Sequence, residues 1–275
     1  GRDKVNYLED QIVVTDKNII TSRGPATALE FAFRILEDLG YNEKAKQIKQ
    51  DMKPYIICHM MSSVDGRIDC DMAEKIGGDE YYEVLKRLDC SSELSGRVTM
   101  QKHFAMPELF MPADVEPVGR ESFYEAESSR GYSIAVDSKG RLCWPDNRYD
   151  EKPLLVFTSE QAPKEYFEAL HRQNISWIAA GKEHVDLSRA VEILNKRFGV
   201  DRLAVVGGGN INGAFLREGL IDEVSIVVGA GIDGRRDMTA VFDGIDDPSF
   251  PTTILRLIGV ERVGENSVWL RYAFR

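Results

Sequence analysis

Three consecutive glycines, Gly207-Gly208-Gly209, follow the apolar run Arg202 to Val206 and precede a helical stretch. Glycine lets a backbone approach a ligand closely, and the unpaired amides at a helix start carry positive potential. Gly207, Gly208, Gly209, Asn210 and Ile211 therefore form a candidate cradle for a pyrophosphate. A tight turn needing positive φ would use the same glycines. The stretch is not the dinucleotide fingerprint GxGxxG, because Asn212 stands at the last glycine position and no acid follows a next strand about twenty residues on. A second candidate is Gly96-Arg97-Val98-Thr99, which sets an amide, a guanidinium and a hydroxyl within one turn. A surface arginine beside a helix has the same local sequence. Ser62-Ser63-Val64-Asp65-Gly66 ends the apolar run Tyr55 to Met61. Asp-Gly there is also an ordinary turn dipeptide.

Other chemistries find little support. His59, His103, His171 and His184 form no HExxH or paired-ligand spacing, so no metal site is expected. Cys58, Cys70, Cys90 and Cys143 form neither CxxC nor a dense framework and read as reduced thiols of a cytoplasmic protein. With 35 Lys and Arg against 45 Asp and Glu, the net charge is −10, which argues against a nucleic-acid partner. No run of about eighteen apolar residues exists, so no membrane partner is expected. A hydrophobic share of 43% is that of a folded globular chain.

The elements that must position these residues follow from periodicity. Ile12 to Val14 and Asn18 to Ile20 read as a strand pair around Thr15-Asp16-Lys17. Helices follow over 26–39, stopped by Gly40, and over 42–52. Lys53-Pro54 ends the second helix and marks a domain boundary at 52/53. From Tyr55 the grammar alternates. Strands are expected at 55–61, 133–137, 154–158, 175–180, 202–206 and 223–228, with helices at 79–89, 164–172, 187–198 and 212–218. The stretch between Met100 and Tyr132 reads as irregular, of the kind that builds a lid or dimer contact. Segments 253–263 and 268–274 around Gly264-Glu265-Asn266 read as an antiparallel hairpin closing one sheet edge. The expected fold class is α/β, with a mixed sheet between helices.

Taken together, Ser63-Val64-Asp65-Gly66-Arg67-Ile68, Gly96-Arg97-Val98-Thr99 and the stretch Val205 to Glu223 resemble the reductase domain of the bifunctional riboflavin-biosynthesis deaminase/reductase. The resemblance covers 53–275. It implies a dihydrofolate-reductase-like, three-layer α/β/α fold with a mixed, mostly parallel sheet. It also implies NADPH-dependent reduction of 5-amino-6-(5-phosphoribosylamino)uracil, a small-molecule substrate whose ribose becomes a ribityl chain, by a homodimer. Carried over by motif, Gly96, Arg97 and Thr99 hold the adenosine-phosphate side of the cofactor, where the Arg97 fork suits a 2′-phosphate, and Gly207 to Ile211 hold its pyrophosphate. Ser62, Ser63 and Asp65 border the nicotinamide and substrate, and Asp65 is the candidate proton donor or a structural turn residue. Two departures concern the substrate side. Val206 stands where the family usually has Glu, and Met100-Gln101-Lys102-His103-Phe104 replaces an Asp-x-Pro-x-Leu-Thr segment. The fold would equally suit a dihydrofolate reductase, another small-molecule reductase, or a non-catalytic nucleotide-binding module.

The opening segment resembles a different family. Val14 to Ala32 is similar to the C-terminal strands and helix of DJ-1/PfpI proteins. The nucleophilic cysteine elbow and partner glutamate of that family lie upstream of such a stretch, so residues 1–52 are expected to carry no DJ-1-type chemistry. They read as an appendage, either a remnant of a fusion or the end of a longer fused protein.

Overall fold

The computed structural model describes residues 13–16, 19–22, 28–50, 53–68 and 70–274. Two compact units divide the chain, Gly1–Met52 and Lys53–Arg275. In the first, β1 (Val13–Asp16) and β2 (Ile19–Ser22) pair antiparallel, with Asp16 opposite Ile19. Thr15 and Asp16 thus belong to a strand and not to the expected turn. Helix α1 (Ala28–Asp38) ends ahead of Gly40, whose φ of 82° only glycine adopts freely, and α2 (Asn42–Gln50) follows. The expected positions Ile12, Lys17, Ala26 and Met52 lie outside the described residues.

The second unit is built on one mixed sheet. Its strands are β3 (Tyr55–Ser62), β4 (Ser92–Gly96), β5 (Ser122–Tyr124), β6 (Ser133–Val136), β7 (Arg148–Tyr149), β8 (Lys152–Thr158), β9 (Ser176–Ala179), β10 (Arg202–Val205), β11 (Glu223–Val228), β12 (Leu255–Val263) and β13 (Ser267–Phe274). Their order is β12-β13-β11-β3-β10-β4-β6-β8-β9-β5, with β7 paired to β8. The run from β11 to β9 is parallel, while β12, β13, β5 and β7 pair antiparallel. Parallel strands with near-continuous apolar runs must be covered on both faces. Leu155 and Phe157 of β8 join the cluster under α6 (Leu187–Phe198) and α7 (Gly209–Arg217). Leu154 and Val156 point the other way, beneath α5 (Lys164–Arg172). On that second face Ile57, Met61 and Val227 pack with Val84 of α3 (Cys70–Arg87) and with Leu88 just after it. The result is the three-layer α/β/α arrangement with the C-terminal hairpin at one edge.

The structure departs from the periodicity reading at glycines and short elements. Helix α3 begins at Cys70 and not at Asp79, because it continues through a kink at Gly77 (φ 130°, ψ 64°) that reads as a break in sequence. Helix α7 starts at Gly209, three residues before the expected Asn212, since first-turn residues need no intrahelical donor and glycine there is tolerated. The stretch after Met100 is less irregular than expected. It carries the end of α4 (Arg97–His103) and strand β5, which pairs with β9. Among the described residues, no helix is long and apolar enough to cross a membrane.

Candidate functional site

Strands β4 and β10 are adjacent and parallel, so the turns that follow them emerge at the same end of the sheet, where ligands of open α/β folds bind. The Val206 amide donates to the Leu94 carbonyl (2.9 Å) and the Gly96 amide to the Gly207 carbonyl (2.8 Å). A Cβ placed on Gly96 would stand 3.3 Å from the Ile211 Cβ, and one on Gly208 3.6 Å from Thr99 Oγ1. The structure thus brings Gly96, Thr99, Gly207, Gly208 and Ile211 into one cluster. Arg97 opens α4 beside them with its side chain exposed, and no hydrogen bond or ion pair among the described residues engages its guanidinium.

The glycine run divides by role. Gly207 adopts φ 102°, and a Cβ there would meet the Met60 side chain at 2.9 Å; the peptide to Gly208 is cis. At Gly209 a Cβ would meet the Ala240 carbonyl at 2.4 Å, and at Gly213 the Asp243 carbonyl at 1.8 Å, so both let α7 pack against the chain at 239–243. Gly208 alone of the run has only an ordinary contact beside it. Among the described residues no acceptor takes the amides of Gly208, Gly209 or Asn210. Unpaired amides at the start of α7 facing an open glycine suit an anionic group such as a dinucleotide pyrophosphate. On that observation the residues present fit a nicotinamide dinucleotide.

A cavity of about 270 Å³ adjoins this cluster. Its lining includes residues of β4, α3 and α4. Thr99, Ser95 and Val206 line the end near the glycine turn, and Glu93, Ser133 and Tyr149 line the other. Glu93 and Ser95 share a face of β4, two residues apart, about 7 Å along the strand. Glu93 Oε1 accepts from Lys152 Nζ at 2.6 Å, and the Tyr149 ring packs, tilted by 33°, at 4.6 Å on Phe104, which caps α4.

Ser62, Ser63 and Asp65 follow a different course. Ser63 Oγ donates to Asp65 Oδ1 (2.6 Å) and accepts from the Arg67 amide (3.0 Å). Asp65 Oδ1 and Oδ2 also accept the amides of Asp233 (3.0 Å) and Gly234 (2.9 Å). These donors, led by the Ser63 hydroxyl, hold the Asp65 carboxyl well below the usual carboxylate range. So held, the carboxylate clamps the loop at 233–234. The cavity lining includes Met60, Met61 and Ile68 from this segment but none of Ser62, Ser63 and Asp65.

Two buried polar networks are built into the sheet, and the first backs the cavity at Tyr81. His59 Nε2 lies 3.1 Å from the Tyr81 carbonyl, which only accepts, so Nε2 carries the proton; Nδ1 accepts from the Ser225 hydroxyl at 3.0 Å. Ser225 in turn accepts from Trp269 Nε1 at 2.8 Å, and the His59 ring stacks on Tyr81, a cavity residue. Every site is satisfied with the imidazole neutral, and burial lowers its pKa to about 4. At the end of β6, Asp137 Oδ2 accepts from the Arg141 and Leu142 amides (2.6 and 2.8 Å) and the Tyr166 hydroxyl (3.1 Å). Burial raises the Asp137 pKa against the lowering effect of those donors and of nearby Arg97. No group of three or more His, Cys, Asp or Glu among the described residues is placed to hold a metal ion.

The sequence reading did not single out Glu93, Ser133 or Tyr149. A charged residue inside Ser92-Glu93-Leu94-Ser95 was the available signal, but only the strand order shows that it stands mid-sheet. Comparison with known proteins fits this geometry. The model of the RibD C-terminal domain matches residues 54–269. The 2,5-diamino-6-ribosylamino-4(3H)-pyrimidinone 5′-phosphate reductase of Methanothermobacter thermautotrophicus is 30% identical over 198 residues, which cover 70% of this chain and 85% of that one. A pyrimidine reductase-like protein from Corynebacterium diphtheriae has the same fold, with a TM-score of 0.60 at 16% identity over 83% of this chain and 94% of its own. Protein dj-1beta of Drosophila melanogaster is 47% identical over 47 residues, 17% of this chain and 25% of that one.

Proposed function

The chain belongs to the RibD C-terminal domain family, and we propose that it is an NADPH-dependent reductase of a phosphoribosylaminopyrimidine of riboflavin biosynthesis. The observation that carries this reading is the meeting of two turns, after β4 and β10, beside a cavity large enough for a pyrimidine. The amides at Gly208 to Asn210 take the pyrophosphate. Gly96 and Ile211 close the turn around it, and the exposed Arg97 takes the 2′-phosphate that separates NADPH from NADH. When bound, the cofactor supplies a hydride. Thr99, Ser95 and Val206 hold the ribose C1 of the open-chain imine at that end of the cavity, so the reacting carbons are kept in contact. The hydride adds to C1 and a proton to the bridging nitrogen, leaving a ribitylamino product. Asp65, an acceptor fixed by Ser63, braces the rim of the site, and solvent delivers the proton. Residues 1–52 form a separate domain, the end of a DJ-1-type fold. A second copy of the chain pairs along the edge strand β12, whose Leu257 and Val260 are exposed.

The test is anaerobic incubation of the protein with NADPH and either 2,5-diamino-6-ribosylamino-4(3H)-pyrimidinone 5′-phosphate or the uracil analogue. Loss of reduced-nicotinamide absorbance with a product two hydrogens heavier supports the reading. Tight binding of NADPH with no oxidation on either compound favours a nucleotide-binding module in its place.

A further inference from the structure

We propose that Glu93 reads the edge of the pyrimidine ring and makes the 2-amino-4-oxo compound, not its deaminated 2-oxo counterpart, the preferred substrate. The inference rests on the reductase reading above. A carboxylate in the middle of a parallel sheet is costly unless it is paired, and here only one of its two oxygens has a protein partner among the described residues. Strand β4 lies between β10 and β6, and Glu93 is flanked in sequence by the buried Ser92 and Leu94. Its side chain is half-buried and lines the cavity. Lys152 holds Oε1 at 2.6 Å, which fixes the rotamer, while Oε2 has no hydrogen-bond partner among the described residues. Glu74 and Asp150 also line the cavity, but both are exposed. Glu93 is the carboxylate on its sheet floor.

The chemistry follows from what a carboxylate can do. It accepts hydrogen bonds and donates none. A 2-amino-4(3H)-pyrimidinone presents two parallel donors on one edge, the 2-amino group and N3–H, which match the two carboxylate oxygens. In the uracil the 2-amino group is replaced by a carbonyl, and an acceptor faces an acceptor. A site built to bind an N–H rejects the analogue lacking it far more strongly than an apolar pocket rejects a lost methylene. Position supports the pairing. Ser95 lines the cavity beside the glycine turn, and Glu93 stands two residues further from it along the same face. Tyr149, backed by Phe104, and Tyr81, backed by His59, present fixed rings to the same space. The enzyme then acts before deamination, and the reaction that consumes its product must hydrolyse the 2-amino group.

The experiment is kcat/KM for both compounds with wild type and E93Q at saturating NADPH, alongside the melting temperature of each. Wild type is expected to prefer the 2-amino compound by about a hundredfold or more. E93Q offers one acceptor and one donor, which match N3–H and the C2 carbonyl of the uracil. Its preference should therefore fall to within about tenfold or reverse, mainly through KM, with NADPH affinity unchanged. Equal use of both compounds by wild type, or an unchanged ratio in a folded E93Q, overturns the assignment to Glu93. If E93Q does not fold, the wild-type ratio still decides. No turnover of either compound overturns the reductase reading and this inference with it.

Discussion

The glycine turn after β10 and the cavity beside it are built by opposite means. The turn presents backbone: unpaired amides at Gly208 to Asn210, with glycines that either open space for a ligand or let α7 pack closely. The cavity presents side chains drawn from α3, β4, β6 and β7, fixed by a second shell of rings and hydrogen bonds. A surface made of backbone depends on a few contiguous residues and suits a ligand shared by many enzymes. One made of side chains can change its substrate at a single position.

Substitutions at the glycines that let α7 pack closely should break the comparison most visibly. Gly213→Ala drives a Cβ into the Asp243 carbonyl and should cost about 3 kcal/mol or more of unfolding free energy in urea titration, whatever ligand is present. On the cavity side the expected effect is a pH dependence. The folded-state pKa of His59 is lowered to about 4 from an ordinary value of 6.5, so the unfolded chain takes up a proton first as pH falls. Stability from this group is complete above pH 6.5 and is lost towards pH 4, by about 3 kcal/mol. His59→Gln should flatten that slope in chemical denaturation across the interval. An unchanged slope would detach the wall at Tyr81 from the His59 network.

Smaller effects sharpen the division. Arg97→Ala should weaken NADPH about tenfold and NADH hardly at all, measured by competitive inhibition of turnover; equal losses for both would remove the 2′-phosphate from its role. Asp65→Asn should leave kcat within about threefold, because loss of a general acid costs about a hundredfold or more and a loop clamp does not. A larger fall, with the alkaline limb of the pH profile abolished, would return Asp65 to proton transfer.

How much of this was legible in sequence follows the same division. The pieces Gly96-Arg97-Val98-Thr99 and Gly207-Gly208-Gly209 are contiguous, and the structure places them together at the ends of adjacent strands. Helices α5 and α6 occupy the spans that periodicity gives because each buries one apolar face, and β11 does so as a short run buried on both faces. Helix α3 was only half visible, since Gly77 interrupts its pattern without ending it. Glu93 and Tyr149 were not visible as a pair. They lie 56 positions apart by residue number, and only the β4-β6-β8 order with the β7-β8 hairpin brings their strands to one cavity. Asp65 was visible as a residue but not as a clamp, because its partners Asp233 and Gly234 come from a distant loop.

The most direct test is calorimetric titration of NADPH into wild type and Gly208→Ala, with the melting temperature of each recorded. A Cβ at that position meets nothing closer than Thr99 Oγ1 at 3.6 Å, so the variant should fold with an unchanged melting temperature. It should bind NADPH at least about thirtyfold more weakly, roughly 2 kcal/mol. A stable variant that binds as tightly as wild type, or a wild type that binds no nicotinamide nucleotide, would contradict the assignment of the turn to the cofactor.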